Sequence, residues 1–278
     1  MRKIIFMDID GTLVNDNGVI PESAKLAVQK ARENGHLVFI CTGRSKAELF
    51  PEILDIGFDG IIGAAGGYIE VGQEVILHKN VSKKDVEHLV NYFNENKIDF
   101  YLESNGGLFA SENCKKHIDE IIEKILEENP DAREEVEKGL RPFHDALIDE
   151  EYLIREDINK ISFLGSDIPF EVIRKEFAAK FNVIPSTVPM FGENSGELSV
   201  PGIHKATAIE LLLQHLQADK KDTFAYGDGM NDLEMIEYVQ QGIAMGNAKE
   251  ALKEAADDVT GTHDEDGIFN SFKKYGLI

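Results

Sequence analysis

Positive charge is scarce in this sequence. Its 278 residues carry 29 lysines and arginines against 51 aspartates and glutamates, a formal charge of −22. A surface of that sign repels nucleic acid and anionic membranes, so neither is expected as a partner. It also repels phosphorylated small molecules, so any anion site has to be made locally positive by a metal, a helix N-terminus or a few placed bases. Cysteine is almost missing: Cys41 and Cys114 stand far apart, which excludes a disulfide framework and zinc-ligand spacing. Free thiols fit a reducing cytoplasm, the expected location. No uncharged apolar run approaches the ~18 residues that span a bilayer. The first residues reach Asp8 after only a short apolar run, so no signal peptide is expected. Repeats and low-complexity segments are lacking as well. What remains is an ordinary globular composition, 42% hydrophobic and 29% charged, with enough chain for one large domain or two modest ones.

The N-terminal part alternates strand and helix patterns. Ile4–Met7 and Leu37–Cys41 are apolar runs that read as buried strands, and Ile61-Ile62 leads into a glycine-rich turn. Pro21 opens a helix that closes near Asn34-Gly35. Such alternation predicts an α/β fold with a parallel, doubly wound, Rossmann-like sheet. From Ser82 the pattern changes. Ser82 caps a helix striped by Val86, Leu89, Val90 and Phe93, and Asn105-Gly106 joins two strands as a hairpin. A helix striped by Ile118, Ile122 and Ile125 follows, then a strand at Ile158–Leu164 and a helix at Pro169–Phe181. Irregular signals at Pro185, Pro189 and Gly192 precede renewed alternation, with strands expected at Glu197–Val200, Thr223–Tyr226 and Gly242–Met245. The expected organisation is a core built from residues 1–82 and 188–278, with an inserted α+β domain at 83–187.

Polar residues gather where the strands of the core end. Asp8 and Asp10 follow the first strand, and positions i and i+2 of an extended chain point to one side. Two carboxylates so placed repel each other unless a divalent cation lies between them or they share work. A plain turn is the competing explanation, since Asp, Gly and Thr are good turn formers. Thr42-Gly43-Arg44 follows the second strand, where a hydroxyl and a glycine amide can hold a phosphate oxygen. Lys205 opens an apolar-striped helix, where its charge opposes the dipole unless it meets an anion. Gly227-Asp228-Gly229-Met230-Asn231-Asp232 follows a later strand and offers oxygens that suit Mg²⁺, while Asn231 or Asp232 can instead cap the next helix. Open α/β sheets bind ligands at these strand ends. The first strand is not followed by G-x-G-x-x-G, which argues against a dinucleotide-binding domain.

Taken as a set, in this order, these motifs resemble those of the haloacid dehalogenase superfamily. The Gly-Asp-Gly-Met-Asn-Asp form, followed by Gly246-Asn247-Ala248, resembles the Cof-type phosphatases. The interval from Asp8 to Thr42 has room for a helix only, whereas that from Thr42 to Lys205 holds the inserted domain, as in Cof-type enzymes and phosphomannomutases. Two positions depart from the pattern: Ala65-Gly66-Gly67 stands where Asn-Gly-Ala is common, and Ala206 where Gly is common. The resemblance implies a Mg²⁺-dependent hydrolase of small phosphorylated metabolites such as sugar phosphates. It implies that Asp8 is the nucleophile and forms an aspartyl-phosphate, and that Asp10 is the general acid and base. Thr42, Gly43, Lys205 and Asn231 would bind the phosphoryl group, and Asp8, Asp228 and the backbone carbonyl of Asp10 would bind the metal. Asp232 would support that metal site from behind its ligands, and the inserted domain would act as a cap. A phosphosugar mutase and a non-catalytic phosphate sensor are the alternatives on the same fold. Having both Asp8 and Asp10 argues against the sensor.

Overall fold

The computed structural model describes residues 2–186 and 188–278. Its chain divides into two compact units, one of Met1–Arg44, Leu49–His78 and Ile203–Ile278, the other of Ser45–Glu48 and Lys79–Gly202.

The first unit is built on an eight-stranded sheet. In spatial order its strands are Asp258–Val259, Gln241–Ala244, Thr223–Gly227, Ile4–Met7, Leu37–Cys41, Gly60–Gly63, Tyr68–Val71 and Glu74–His78. The first six pair in parallel. The last two are antiparallel, an extension that the expected parallel sheet did not include. The connections explain it: Ala64 to Gly67 and Gly72-Gln73 are too short for the crossover that a parallel pair needs. Alternation along the strands divides the core in two. Ile5, Met7, Val38 and Ile40 face the helices Glu22–Glu33 and Gly267–Lys274 through Ala27, Val28, Ala31, Ile268 and Phe272. Ile4, Phe6, Phe39 and Cys41 face the helix Lys205–His215 through Ala208, Ile209 and Leu212. Helices on both faces make the sheet doubly wound.

The second unit has a six-stranded sheet in the order Asn182–Pro185, Gly196–Ser199, Ile158–Phe163, Phe100–Ser104, Gly107–Ala110 and Leu147–Asp149. Asn105-Gly106 is the two-residue loop of its hairpin, with Ser104 opposite Gly107. Ser82 caps the helix Lys83–Glu95 by accepting the amide N–H of Asp85 at 3.2 Å. One sheet face packs Phe100, Leu102, Ile161 and Phe163 against that helix and Phe170–Phe177. The strand expected at Glu197–Val200 is present as Gly196–Ser199. It pairs antiparallel with Ile158–Phe163 and Asn182–Pro185, so it belongs to this sheet and not to the first unit. Its apolar Leu198 completes the second unit's core, and the unit continues to Gly202. The boundary expected at residue 187 lies outside the described residues.

Candidate active site

The register of the first sheet sets the site. Met7 lies beside Tyr226 and Ile40, so the strands carrying Asp8, Asp228 and Thr42 end level with one another. The amide of Asp8 donates to the Tyr226 carbonyl at 3.0 Å, and that of Thr42 to the Ile62 carbonyl at 2.9 Å. Lys205 is the first residue of its helix. Its Nζ lies 2.5 Å from Asp8 Oδ1 and 2.5 Å from Asp232 Oδ1. All three groups are out of water: Asp8 is 5% exposed, Lys205 2% and Asp232 0%. This is the anion that the mismatch between Lys205 and its helix dipole called for.

The electrostatics follow from burial. Loss of solvent, then the nearby Asp232 charge, pushes the Asp8 carboxyl well above the usual range, against the pull of Lys205. Burial alone would lower the Lys205 ammonium, but Asp232 and Asp8 outweigh it and hold the lysine charged. Asp228 is pushed up to about 6 by burial and by Asp232. Burial raises the Cys41 thiol, which makes it a core residue and no nucleophile.

Glycines make room for this crowding. A Cβ on Gly11, which sits at φ +74°, would lie 2.3 Å from an Asp228 carboxylate oxygen. On Gly227 it would lie 2.6 Å from the Asp232 side chain, and on Gly229 it would lie 2.3 Å from the Asn231 side-chain oxygen. The glycines of both motifs therefore keep the acids close together.

Asp232 does not cap the helix Leu233–Tyr238 with its side chain. It turns back, its Oδ2 accepting the amides of Asp228 at 3.1 Å and Gly229 at 3.0 Å. Asp10 also behaves in its own way. Its side chain is 61% exposed and is gripped by Arg44, whose Nε donates to Oδ2 at 2.9 Å and whose Nη2 donates to Oδ1 at 2.5 Å. Asp8, Asp228 and Asp232 form an acidic group whose ligand atoms lie within 4.8 Å of one another, and the Asp10 carboxylate is not part of it. Thr12, which the sequence reading passed over, donates its hydroxyl to Asp228 Oδ1 at 3.2 Å. Its place four residues after Asp8 was the available signal. Thr42 is buried, its Oγ1 accepting the Arg44 amide at 3.2 Å.

This donor set suits a hard divalent cation, since all its atoms are carboxylate oxygens. Its oxygens are not equally free. Lys205 takes one oxygen of Asp8, Thr12 takes one of Asp228, and Asp232 has both oxygens engaged. Asp8 and Asp228 thus fit as direct ligands better than Asp232 does.

The sequence matches the haloacid dehalogenase-like hydrolases over residues 5–272. The chain belongs to that family. This hydrolase is similar to YkrA of Bacillus subtilis (strain 168), at 31% identity over 280 residues that cover 99% of this chain and 98% of YkrA. It is similar to the 5-amino-6-(5-phospho-D-ribitylamino)uracil phosphatase YitU of the same organism, at 25% identity over 300 residues that cover 98% and 97% of the two chains. Among solved structures, it is similar to the subclass IIB sugar phosphatase BT4131, with a TM-score of 0.75, 26% identity and coverage of 99% and 100%. Relatives in sequence and in structure are named phosphatases, and this hydrolase is a phosphoric monoester hydrolase. Among the described residues, no helix is long and apolar enough to cross a membrane.

Proposed function

We propose that this hydrolase is Mg²⁺-dependent, acts on small phosphorylated metabolites and works through an aspartyl-phosphate on Asp8. The observation that carries the proposal is the buried set of Asp8, Lys205 and Asp232 at the strand ends, beside Asp228. Mg²⁺ held by Asp8 and Asp228 would offset the charge of the phosphate. A carboxylate oxygen of Asp8 attacks phosphorus as the ester P–O bond breaks, and Asp10 gives its proton to the leaving oxygen. Water then attacks phosphorus, Asp10 takes a proton from it, and the Asp8–phosphorus bond breaks to release phosphate. For Asp10 to serve, its carboxyl leaves Arg44, a swing that its exposure permits.

Lys205 has three N–H donors and uses two on Asp8 and Asp232, which leaves one for a phosphoryl oxygen. The amide of Gly43, the Thr42 hydroxyl and the Asn231 side chain supply further donors, and the Asp10 carbonyl a further metal ligand. Asp232 holds Lys205 and the Asp228–Gly229 amides in place, which supports its supporting role. The second compact unit acts as the cap that selects among esters. YitU is named for a phosphorylated ribityl compound and BT4131 as a sugar phosphatase, which makes phosphorylated sugars and related polyols the class to test first.

The test is phosphate release from p-nitrophenyl phosphate and a panel of phosphorylated metabolites, with Mg²⁺ and with EDTA. Release that needs Mg²⁺ is expected. Equal release in EDTA would end the metal-dependent reading.

A further inference from the structure

The turn that carries Asp10 is short. It runs from Ile9 to Val14 and closes on itself, with Gly11 N–H donating to the Val14 carbonyl at 2.9 Å and Val14 N–H to the Ile9 carbonyl at 2.8 Å. The Gly11 carbonyl finds its partner far along the chain, in the Nδ2 of Asn247 at 2.7 Å. Asn247 belongs to the Gly246-Asn247-Ala248 sequence, for which the proposed mechanism has no use. Its own Oδ1 accepts the His263 amide at 3.4 Å. Two residues on, the Lys249 amide donates to the Asp228 carbonyl at 3.1 Å. One loop therefore holds a backbone oxygen on each of the two acid-bearing turns.

We infer that Asn247 is a positioning residue, which fixes the Gly11 peptide so that only the side chain of Asp10 moves during turnover. The inference rests on the proposed role of Asp10 as acid and base. Asp10 has to alternate between the Arg44 guanidinium and the ester oxygen, and its side chain is largely in water. Proton transfer needs heavy atoms brought to hydrogen-bond distance, so a turn that drifts loses rate in the step where the proton moves. Gly11 is a weak point in such a turn. Its φ of +74° costs a glycine nothing, but glycine also resists change less than any other residue. A hydrogen bond to its carbonyl from outside the turn removes that freedom. Asn247 is exposed, so its substitution removes no buried side chain.

The test compares Asn247→Ala and Asn247→Asp with the wild type. The aspartate keeps an acceptor for His263 N–H, loses the donor to Gly11 and sets a negative charge against that carbonyl, so it tests the bond more severely than alanine. Turnover is measured with p-nitrophenyl phosphate, whose leaving group needs no proton, and with the fastest alkyl ester among glycerol, glucose and ribose phosphates. In both variants we expect kcat for the alkyl ester to fall about tenfold and kcat for the nitrophenyl ester about twofold or less, the upper range for one hydrogen bond. KM for both esters is expected to stay within about twofold. Equal losses on the two esters, a loss in the alanine variant alone, or no loss would overturn the inference. Amide exchange of residues 9–14 without substrate supplies a second readout that needs no activity. Faster exchange in both variants is expected, and unchanged exchange overturns the inference even if the wild type shows no phosphatase activity, a result that would count against the proposed function instead.

Discussion

Each unit of this hydrolase holds a lysine between two acids, buried in the first and part-buried in the second, and only one of these sets has the marks of a reaction centre. In the first unit Lys205 lies 2.5 Å from both Asp8 and Asp232. In the second, Lys160 Nζ lies 2.9 Å from Glu197 Oε2 and 3.4 Å from Glu103 Oε2, while Ser162 donates to Glu103 Oε1 at 2.7 Å. Burial pushes the carboxyls of Asp8 and Glu103 well above their usual range, and in each set the acids overcome burial to keep the lysine charged. Such a set is thus something a fold can make for its own stability. The surroundings differ. Asp8 lies at a strand end beside Asp228, with glycines that leave room for the crowded acids. Glu103 lies mid-sheet, and among the described residues only the first set belongs to an acidic group that can hold a metal ion. Burial and charge pairing therefore do not identify chemistry until open oxygens and a free edge are added.

The comparison breaks most sharply on turnover. Asp8→Asn is expected to lower kcat roughly 10⁴-fold or more, as loss of a nucleophile does. Its melting temperature is not expected to fall, because burial already disfavours the Asp8 charge. Glu103→Gln, the matching change in the other set, is expected to keep turnover of p-nitrophenyl phosphate within about threefold. If both variants lost turnover alike, the second set would be part of the chemistry and the contrast would be gone.

Removing each lysine sharpens the comparison on stability. Lys205→Met leaves Asp8 and Asp232, 5% and 0% exposed, facing each other without a counter-charge, and is expected to cost about 3–5 kcal/mol. The Lys160 side chain is 15% exposed against 1% for Lys205, and Glu197 is 16% exposed, so water can reach one of the two acids that Lys160→Met leaves behind. A cost of about 1–3 kcal/mol is expected there. Urea unfolding measures both, and equal losses would show that the two sets are equally dry.

How much of this was legible in the sequence differs by unit for a physical reason. The acids of the first set lie at or just after strand ends, where turn chemistry confines residue choice to Asp, Gly and Thr, so Asp8, Asp10, Thr42 and Asp228 stood out by type and place, and Lys205 by a charge that opposes its helix dipole. Hydrophobic period also predicted the parallel strands and the helices Glu22–Glu33 and Lys83–Glu95. Glu103, Lys160 and Glu197 lie within strands, where alternation gives a polar residue an outward place, and nothing local shows that three such residues meet across three strands. The strand at Gly196–Ser199 was assigned to the wrong sheet for the same reason: its pairing is long-range, and its four residues carry no sign of their partner. Asn247 was visible only as part of a resemblance, since its contact with Gly11 spans most of the chain.

The smallest expected effect is on pH and metal, and it isolates what Asp228 adds to the first set. Its carboxyl is held at about 6, above the value of about 4 for an unfolded aspartate. The folded state therefore binds this proton more tightly than the unfolded chain does. The resulting stability is fully present below about pH 4 and is lost as pH rises through about 6. Asp8 and Glu103 are shifted in the same direction and add to the slope. The raised Lys205 and Lys160 contribute a constant amount here, because an unfolded lysine titrates near 10.4. The lowered Asp85, Asp157 and Asp264 lose their contribution only as pH falls below about 4. His36, lowered by burial, adds stability as pH rises in this window and offsets part of the slope, and in EDTA the melting temperature is expected to decline between pH 4 and 6.5 as the acids outweigh it. In Mg²⁺ the decline shrinks, because a cation on the ionised acids stabilises the form that rising pH creates. Asp228→Asn should flatten part of the EDTA slope and most of the difference between the two conditions. A slope unchanged by that substitution would mean that Asp228 is no more strained than an ordinary surface carboxylate, and the contrast between the two sets would then rest on geometry alone.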